Sequence, residues 1–242
     1  MHWKKNWYLV HRWLGLLVGV QLLAWSIGGF TFTILAIENV RGNLDKKPAT
    51  GPRLELGDAQ LSPREAIERA SSDHDLAPPV KEAVLRERRG RLVYELFGAE
   101  GEPLASIDAT SGDVTRRITK PQAKAIALAD FAHEATVASI ALLEGDPPLE
   151  YRGGRMPVYQ VVLDHEKQTH LYICPVTGEV LKRRNRLWRI FDFFWMLHIM
   201  DYGERDNFNH WLLTGMSVLA ITTSASGLAL WWWRRPRWLR RR

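Results

Sequence analysis

Polarity is distributed along the chain in three blocks. From Trp13 to Ile37 there are 25 consecutive residues without a charge, and from Asn207 to Trp233 there are 27. A helix crosses the hydrocarbon core with about 20 apolar residues. Each run therefore predicts a membrane-spanning helix, the first from about Trp7 to Ile37 and the second from about Asn209 to Trp233. Trp3, Trp7 and Trp13 stand where an aromatic belt would meet the interface, and "WWWRRPRW" closes the second span in the same way. Pro236 prevents clean continuation of that helix. A third apolar run, Phe193 to Met200 within "LWRIFDFFWMLHIMDYG", is too short to cross. Arg189 and Asp192 precede it, so the pattern predicts an interfacial helix that lies on or dips into one leaflet.

The roughly 170 residues between the spans are polar and rich in turn signals, and one pattern occurs there twice. "LSPREAIERA" begins with a serine, then proline at the first helical position and Glu65 three residues after Ser62, a capping-box arrangement. "RLVYELFG" then alternates like a half-buried strand and is followed by "EGEPLASIDATSGDVT". The second copy starts at "TKPQAKAIALADF" and continues through "PVYQVVLD" to "KQTHLYICPVTGEVLK". Each copy ends in a Ser/Thr-Gly-acidic-Val turn whose glycine can supply positive φ. Each unit therefore reads helix, strand, turn, strand. The segment "DFAHEATVASI" reads as helical, with His133 on it and no partner in view.

Helix–strand–strand units ending "D-x-x-[ST]-G-[DE]-V" resemble the PepSY domain. Two of them between membrane helices, with "HRWLGL" at the start, "LHIMDYG" before the second span and "SGLALWWWRR" at its end, resemble the PepSY-associated transmembrane family over nearly the whole chain. The expected fold is an α+β membrane protein. It divides into a transmembrane signal anchor (1–40), a first repeat (41–118), a second repeat (119–186), an interfacial helix and turn (187–206), a second span (207–234) and a basic tail (235–242). The resemblance implies a kinship with inner-membrane ferric-siderophore reductases that carry b-type haem. Those have four membrane helices, whereas this chain shows two.

Charge fixes an expected orientation. Lys4, Lys5 and Arg12 flank the first span, and "RRPRWLRRR" places six arginines in nine residues after the second. Short basic flanks stay cytoplasmic, so both termini are expected inside and the central domain in the periplasm. "KRRNRLWR", 182–189, opposes this but lies in a longer loop. The net charge of +6 and pI near 9.6 thus report membrane topology and do not call for nucleic acid as a partner. The first apolar run exceeds a signal-peptide core and no A-x-A-like site follows, so it reads as an uncleaved anchor. Cys174 is the only cysteine and excludes an internal disulfide.

Eight histidines sort by position. His74, His165 and His170 read as surface residues of the polar domain, and His2 lies at a terminus. His11, His198 and His210 lie at the edges of apolar helices, where haem iron could take imidazole as axial ligand. They are the candidate cofactor- and metal-binding residues. Gly15 and Gly19 follow His11 at i+4 and i+8 and make room for a flat ring. The same G-x-x-x-G, with Ala220, Ser224 and Gly227 on the second span, also suits close helix packing. With both tails inside, His11 lies about 30 Å from the other two and cannot share one iron with them. An outer haem would use His198 and His210, with Met196, Met200 and Met216 as alternative soft ligands. An inner haem would pair His11 with His2, another copy of the chain or a partner subunit.

No phosphate loop, zinc-spaced cluster, nucleophile elbow or flavin or nicotinamide fingerprint occurs. Electrons would have to come from a donor protein. Two functions stand side by side: a haem b electron-transfer component acting toward a periplasmic acceptor such as a ferric siderophore, and a haem-free accessory subunit that binds a partner in a larger membrane complex or as a homo-oligomer. Regulation of a periplasmic peptidase is a third.

Overall fold

The computed structural model describes residues 2–48, 55–72 and 79–234. His74, the basic tail 235–242 with Pro236, and the side chains of His2, Trp3, Trp7 and Trp233 lie outside the described residues. The chain divides into a helical unit, Met1–Ile37 with Trp188–Arg242, and an α+β unit, Glu38–Leu187.

In the helical unit, α1 (His2–Ile34) and α6 (Trp211–Arg234) carry the two stretches long and apolar enough to cross a membrane, Leu9–Ile34 and Trp211–Trp232. The one-turn α2 (Ile37–Val40) follows α1. Before α6 comes α5 (Arg186–Ile199), the expected third helix. It runs lengthwise along the second half of α1: Phe191 meets Phe32 at 4.6 Å between ring centroids, and the Phe194 carbonyl lies at Gly28.

The α+β unit contains the repeat in a fuller form than the hairpin that the alternation predicts. The first copy is α3 (Pro63–Ser71) with an antiparallel meander of β1 (Glu82–Arg88), β2 (Arg91–Phe97), β3 (Pro103–Asp108) and β4 (Val114–Thr115). The second is α4 (Lys120–Asp130) with β5 (Thr136–Leu143), β6 (Val158–Asp164), β7 (His170–Ile173) and β8 (Val180–Arg184) in the same order. Both helices start on complete capping boxes, Ser62 with Glu65 and Thr119 with Gln122, and proline follows each cap within the first turn.

The glycine turns match bond for bond. Gly112 N–H donates to the Asp108 carbonyl (2.8 Å) and Asp108 N–H to the Asp113 carbonyl (3.0 Å). The same pair recurs between Gly178 and Cys174 (2.9 Å) and between Cys174 and Glu179 (2.8 Å). Gly112 and Gly178 sit at φ 79° and 66°, in the left-handed region that glycine enters without steric cost.

Each repeat buries its own core. Ala66 and Ala70 of α3 pack on Leu92, Tyr94, Leu96, Ala105 and Ile107. Ala123, Ile126 and Ala127 of α4 pack on Tyr159, Val161, Leu171 and Ile173. Small alanines on the helices let the sheets approach closely, and the large aliphatic side chains of the strands fill the layer, each contributing about 1.5–3 kcal/mol on full burial.

One sequence-based expectation is corrected here. The segment around His133 is not helical: α4 ends at Asp130, Phe131 is extended, and β-branched Thr136, Val137 and Ile140 form strand β5. His133 then has a partner, because its Nε2 lies 3.1 Å from Asp45 Oδ1. Asp45 closes the 3-10 turn Asn43–Asp45, is 4% exposed and also accepts from Lys167 Nζ. Main-chain bonds reinforce this latch: Ala132 N–H donates to Asp45 (2.8 Å) and Lys47 N–H to Asp130 (2.7 Å). The His133 and His165 rings stack at 5.3 Å, with Phe131 edge-on to both.

Burial alone would raise the Asp45 pKa, but the hydrogen bonds from Lys167 and His133 outweigh it and hold the carboxyl below its ordinary range. A depressed folded-state pKa contributes stability above the unfolded value and loses it as pH falls through the folded one. Asp45→Asn is expected to lower unfolding stability at neutral pH by about 2 kcal/mol. The variant is also expected to lose part of the decline that the native protein shows below about pH 4, read by denaturant titration across pH.

Candidate functional site

The covered face of α1 follows helical spacing: His11, Leu14, Gly15, Val18, Gln21, Trp25, Gly28 and Phe32. Its first half packs on α6, where a Cβ built at Gly15 would lie 4.0 Å from Thr223 and one at Gly227 would lie 3.8 Å from the His11 ring. Gly15 therefore serves helix packing. Gly19 has nothing within 4 Å and faces open space.

The second half of α1 carries a polar problem. A helix leaves its last four carbonyls without intrahelical donors, and an apolar environment offers no water to replace them. At the end of α5 three side chains, two from α1 and one from the residue before α6, meet this need. Gln21 Nε2 reaches the Leu197 carbonyl at 3.5 Å, Trp25 Nε1 donates to His198 at 2.8 Å, and His210 Nε2 lies 2.9 Å from the Ile199 carbonyl. Met200 then turns out of the helix at φ 57°.

The following loop is tied down as closely. Asp192 is buried and takes a 2.6 Å bond from Arg205, and Trp195 Nε1 donates to the Arg205 carbonyl. Four backbone N–H groups converge on the Asp201 carboxylate, led by Asn207 at 3.0 Å, and hold its pKa below the usual range.

These contacts set the ring chemistry of the three candidate histidines. Ser226 Oγ lies 2.8 Å from both the Thr223 carbonyl and His11 Nδ1, so its one hydroxyl hydrogen serves either the carbonyl or the ring. When the hydroxyl serves the carbonyl, His11 donates from Nδ1 and its neutral ring keeps the lone pair on Nε2. His210 is the reverse case. Its Nδ1 accepts from Leu213 N–H (3.3 Å) and its Nε2 donates to Ile199, so neither nitrogen has a lone pair to offer a metal. The ring caps α6 at its start and α5 at its end.

His198 lies beside Gly28 between Trp25 (6.2 Å) and Phe32 (5.7 Å), and its Nδ1 is buried without a hydrogen-bond partner. Helix α5 does fold back so that Ile199 and His210 meet, but the arrangement makes a cap of His210 and not a second ligand. His11 and Gly28, which marks the level of His198, are separated along α1 by about 25 Å at 1.5 Å per residue. Among the described residues no group of three or more His, Cys, Asp or Glu could hold a metal ion.

Of the possible soft ligands, Met200 is buried at the helix end. Met216 lines an open groove of about 420 Å³ with Trp13, Leu16, Leu17, Val20 and Gln21.

In the α+β unit the histidines expected at the surface have partners. His165 Nδ1 accepts from Lys167 N–H (3.2 Å), and His170 Nδ1 meets Glu150, which also accepts from Tyr172 (2.6 Å). Comparison with protein families matches residues 8–242 to the PepSY-associated TM region. The chain belongs to that family. No curated protein and no solved structure matches it. In this PepSY-associated transmembrane protein the repeated motif and the paired spans are thus parts of one family pattern, and contact with a lipid bilayer follows from it.

His210→Ala removes the donor to Ile199 and the cap of α6 together, and is expected to cost about 1–3 kcal/mol. Gln21→Leu breaks a bond of marginal length and should cost clearly less. Thermal unfolding of the detergent-solubilised variants orders the two.

Proposed function

We propose that this chain is an inner-membrane haem b electron-transfer component, with both termini cytoplasmic and the α+β unit in the periplasm. It would pass electrons from a donor protein toward a periplasmic acceptor such as a ferric siderophore. The observation that carries the reading is the 2.8 Å contact between His11 Nδ1 and Ser226 Oγ, which orients the ring. A metal-bound imidazole characteristically donates its other N–H to an acceptor that orients the ring, and Ser226 Oγ stands where such an acceptor would be needed. Histidine is among the residues that hold haem iron.

His198 is the second candidate, supported by its orphaned ring nitrogen and by Gly28, which leaves room for the ring against α1. His210 contributes by holding the end of α5 and is not proposed as a ligand. The residues thus fit haem at one imidazole per level. A further ligand at each level would have to come from outside the chain, from a second copy or a partner subunit. Bound haem supplies reversible one-electron chemistry. The protein supplies an oriented nitrogen and an apolar wall. The basic flanks Lys4, Lys5 and Arg12 and the arginines of the tail support the orientation.

A haem-free, partner-binding subunit is the second reading. It is favoured by the open groove around Gln21 and Met216, a place where a further helix could lie.

Full-length protein purified in detergent from cells supplied with haem is expected to show reduced b-type absorption bands. These bands weaken in His11→Ala and His198→Ala and persist in Leu16→Ala. Colourless native protein that co-purifies with a fixed membrane partner would replace this reading with the second.

A further inference from the structure

A cleft of about 460 Å³ opens between the two repeats of the α+β unit. One wall is the outer face of the first sheet, with Val93, Ser106 and Asp108; the other is α4, with Ala125, Ile126 and Ala129. Its charged rim comes from the β1–β2 hairpin, where Arg88 pairs with Arg91 across a two-residue turn of Arg89 and Gly90. Both turn residues have positive φ, 51° and 75°. Such turns ordinarily take Asn or Gly at the first position, so an arginine there is strained. Strain of this kind concentrates at ligand sites.

The Arg89 guanidinium reaches into the cleft. Its Nη1 donates to the Gly178 carbonyl at 3.0 Å, and a Cβ at residue 178 would lie 2.9 Å from Nη2, so glycine is required for this approach. The neighbouring arginines differ from it. Arg88 is neutralised by Glu95 (2.6 Å) and Glu179 (3.0 Å). Arg91 is mostly exposed and stands 3.8 Å from Asp108, beyond hydrogen-bond reach.

Arg89 is an exposed residue whose guanidinium makes a part-buried bond at Gly178, and it pairs with no carboxylate among the described residues; desolvation first, and then the charges of Arg88 and Arg91, lower its pKa. The acids on the rim, Asp108 and Asp113, are held by the glycine turn, and Asp108 Oδ2 also faces Arg91. Asp108 accepts from the Thr110 and Ser111 N–H groups (2.9 and 3.0 Å), and Asp113 accepts from the Ser111 hydroxyl (2.8 Å). The cleft therefore presents an arginine fork with donors to spare in a concave, partly desolvated site, the setting in which guanidinium binds carboxylate or phosphate most strongly. Its volume falls in the range of small-molecule sites.

We propose that this inter-repeat cleft binds a small anion carrying a carboxylate or phosphate group, with Arg89 as the main contact and Arg91 as the outer one. The site is independent of haem. Isothermal titration of the full chain in detergent at low salt, with citrate and inorganic phosphate as separate probes, tests it and distinguishes the two groups by which binds more tightly. One anion per chain is expected, with affinity that falls as salt is raised. Arg89→Gln should weaken binding roughly tenfold or more. Ala129→Trp, which fills the cleft and leaves every arginine in place, should abolish it. Absence of binding by the native protein at millimolar concentrations of both probes overturns the proposal, and so does unchanged affinity in Ala129→Trp, whether or not the Arg89 variant folds.

Discussion

The helical unit depends on one requirement: the carbonyls at the end of α5 must find donors in surroundings that supply no water. Gln21, Trp25 and His210 each meet one of three successive carbonyls, and through them α5 is joined to α1 and to the start of α6. The polar side chains in otherwise apolar helices are explained by this need. Gly28 lies against this junction, where a Cβ would stand in ordinary contact with the Phe194 carbonyl and the His198 ring, at 3.7 and 3.8 Å. Without these bonds α5 would end on bare carbonyls, each costing energy comparable to a lost hydrogen bond. The loop bonds of Asp192 and Asp201 extend the arrangement outward.

The α+β unit follows a different logic. Its two copies repeat a capped helix, a meander and a glycine turn, yet they do not share a core. Because each copy is satisfied separately, the surfaces between them are free to be polar, and the buried Glu95 with Arg88 and Glu179 lies along that junction. Duplication thus produces an inter-repeat space walled by a sheet face and a helix and rimmed by a hairpin tip and turns, the parts of the fold least constrained by packing.

Much of this was legible in the chain. Uncharged runs gave the spans, Ser62 and Thr119 with their proline neighbours gave the helix starts, and the two Ser/Thr-Gly-acidic turns gave the repeat. The additional strands were hidden for physical reasons. Strand β1 is an edge strand whose Glu82, Arg86 and Glu87 obscure alternation, and β5 follows a helix without glycine or proline to mark the break. The chemistry of the histidines was less legible still. His210 and His11 look alike in sequence, one beside an apolar run and the other beside its counterpart. What separates them is how many ring nitrogens are engaged: one in His11, by Ser226, and both in His210, by Leu213 and Ile199. His133 likewise finds Asp45 across 88 residues, a distance no local pattern reports.

Cys174 stands where the first repeat has Asp108, at the head of the glycine turn, and its sulfur accepts weakly from Thr177 N–H. The thiol is buried and is the only one in the chain. A soluble alkylating reagent can therefore reach this protein only when the second repeat opens, and the pace of its reaction is a direct clock for breathing of that one module within the intact, membrane-anchored chain.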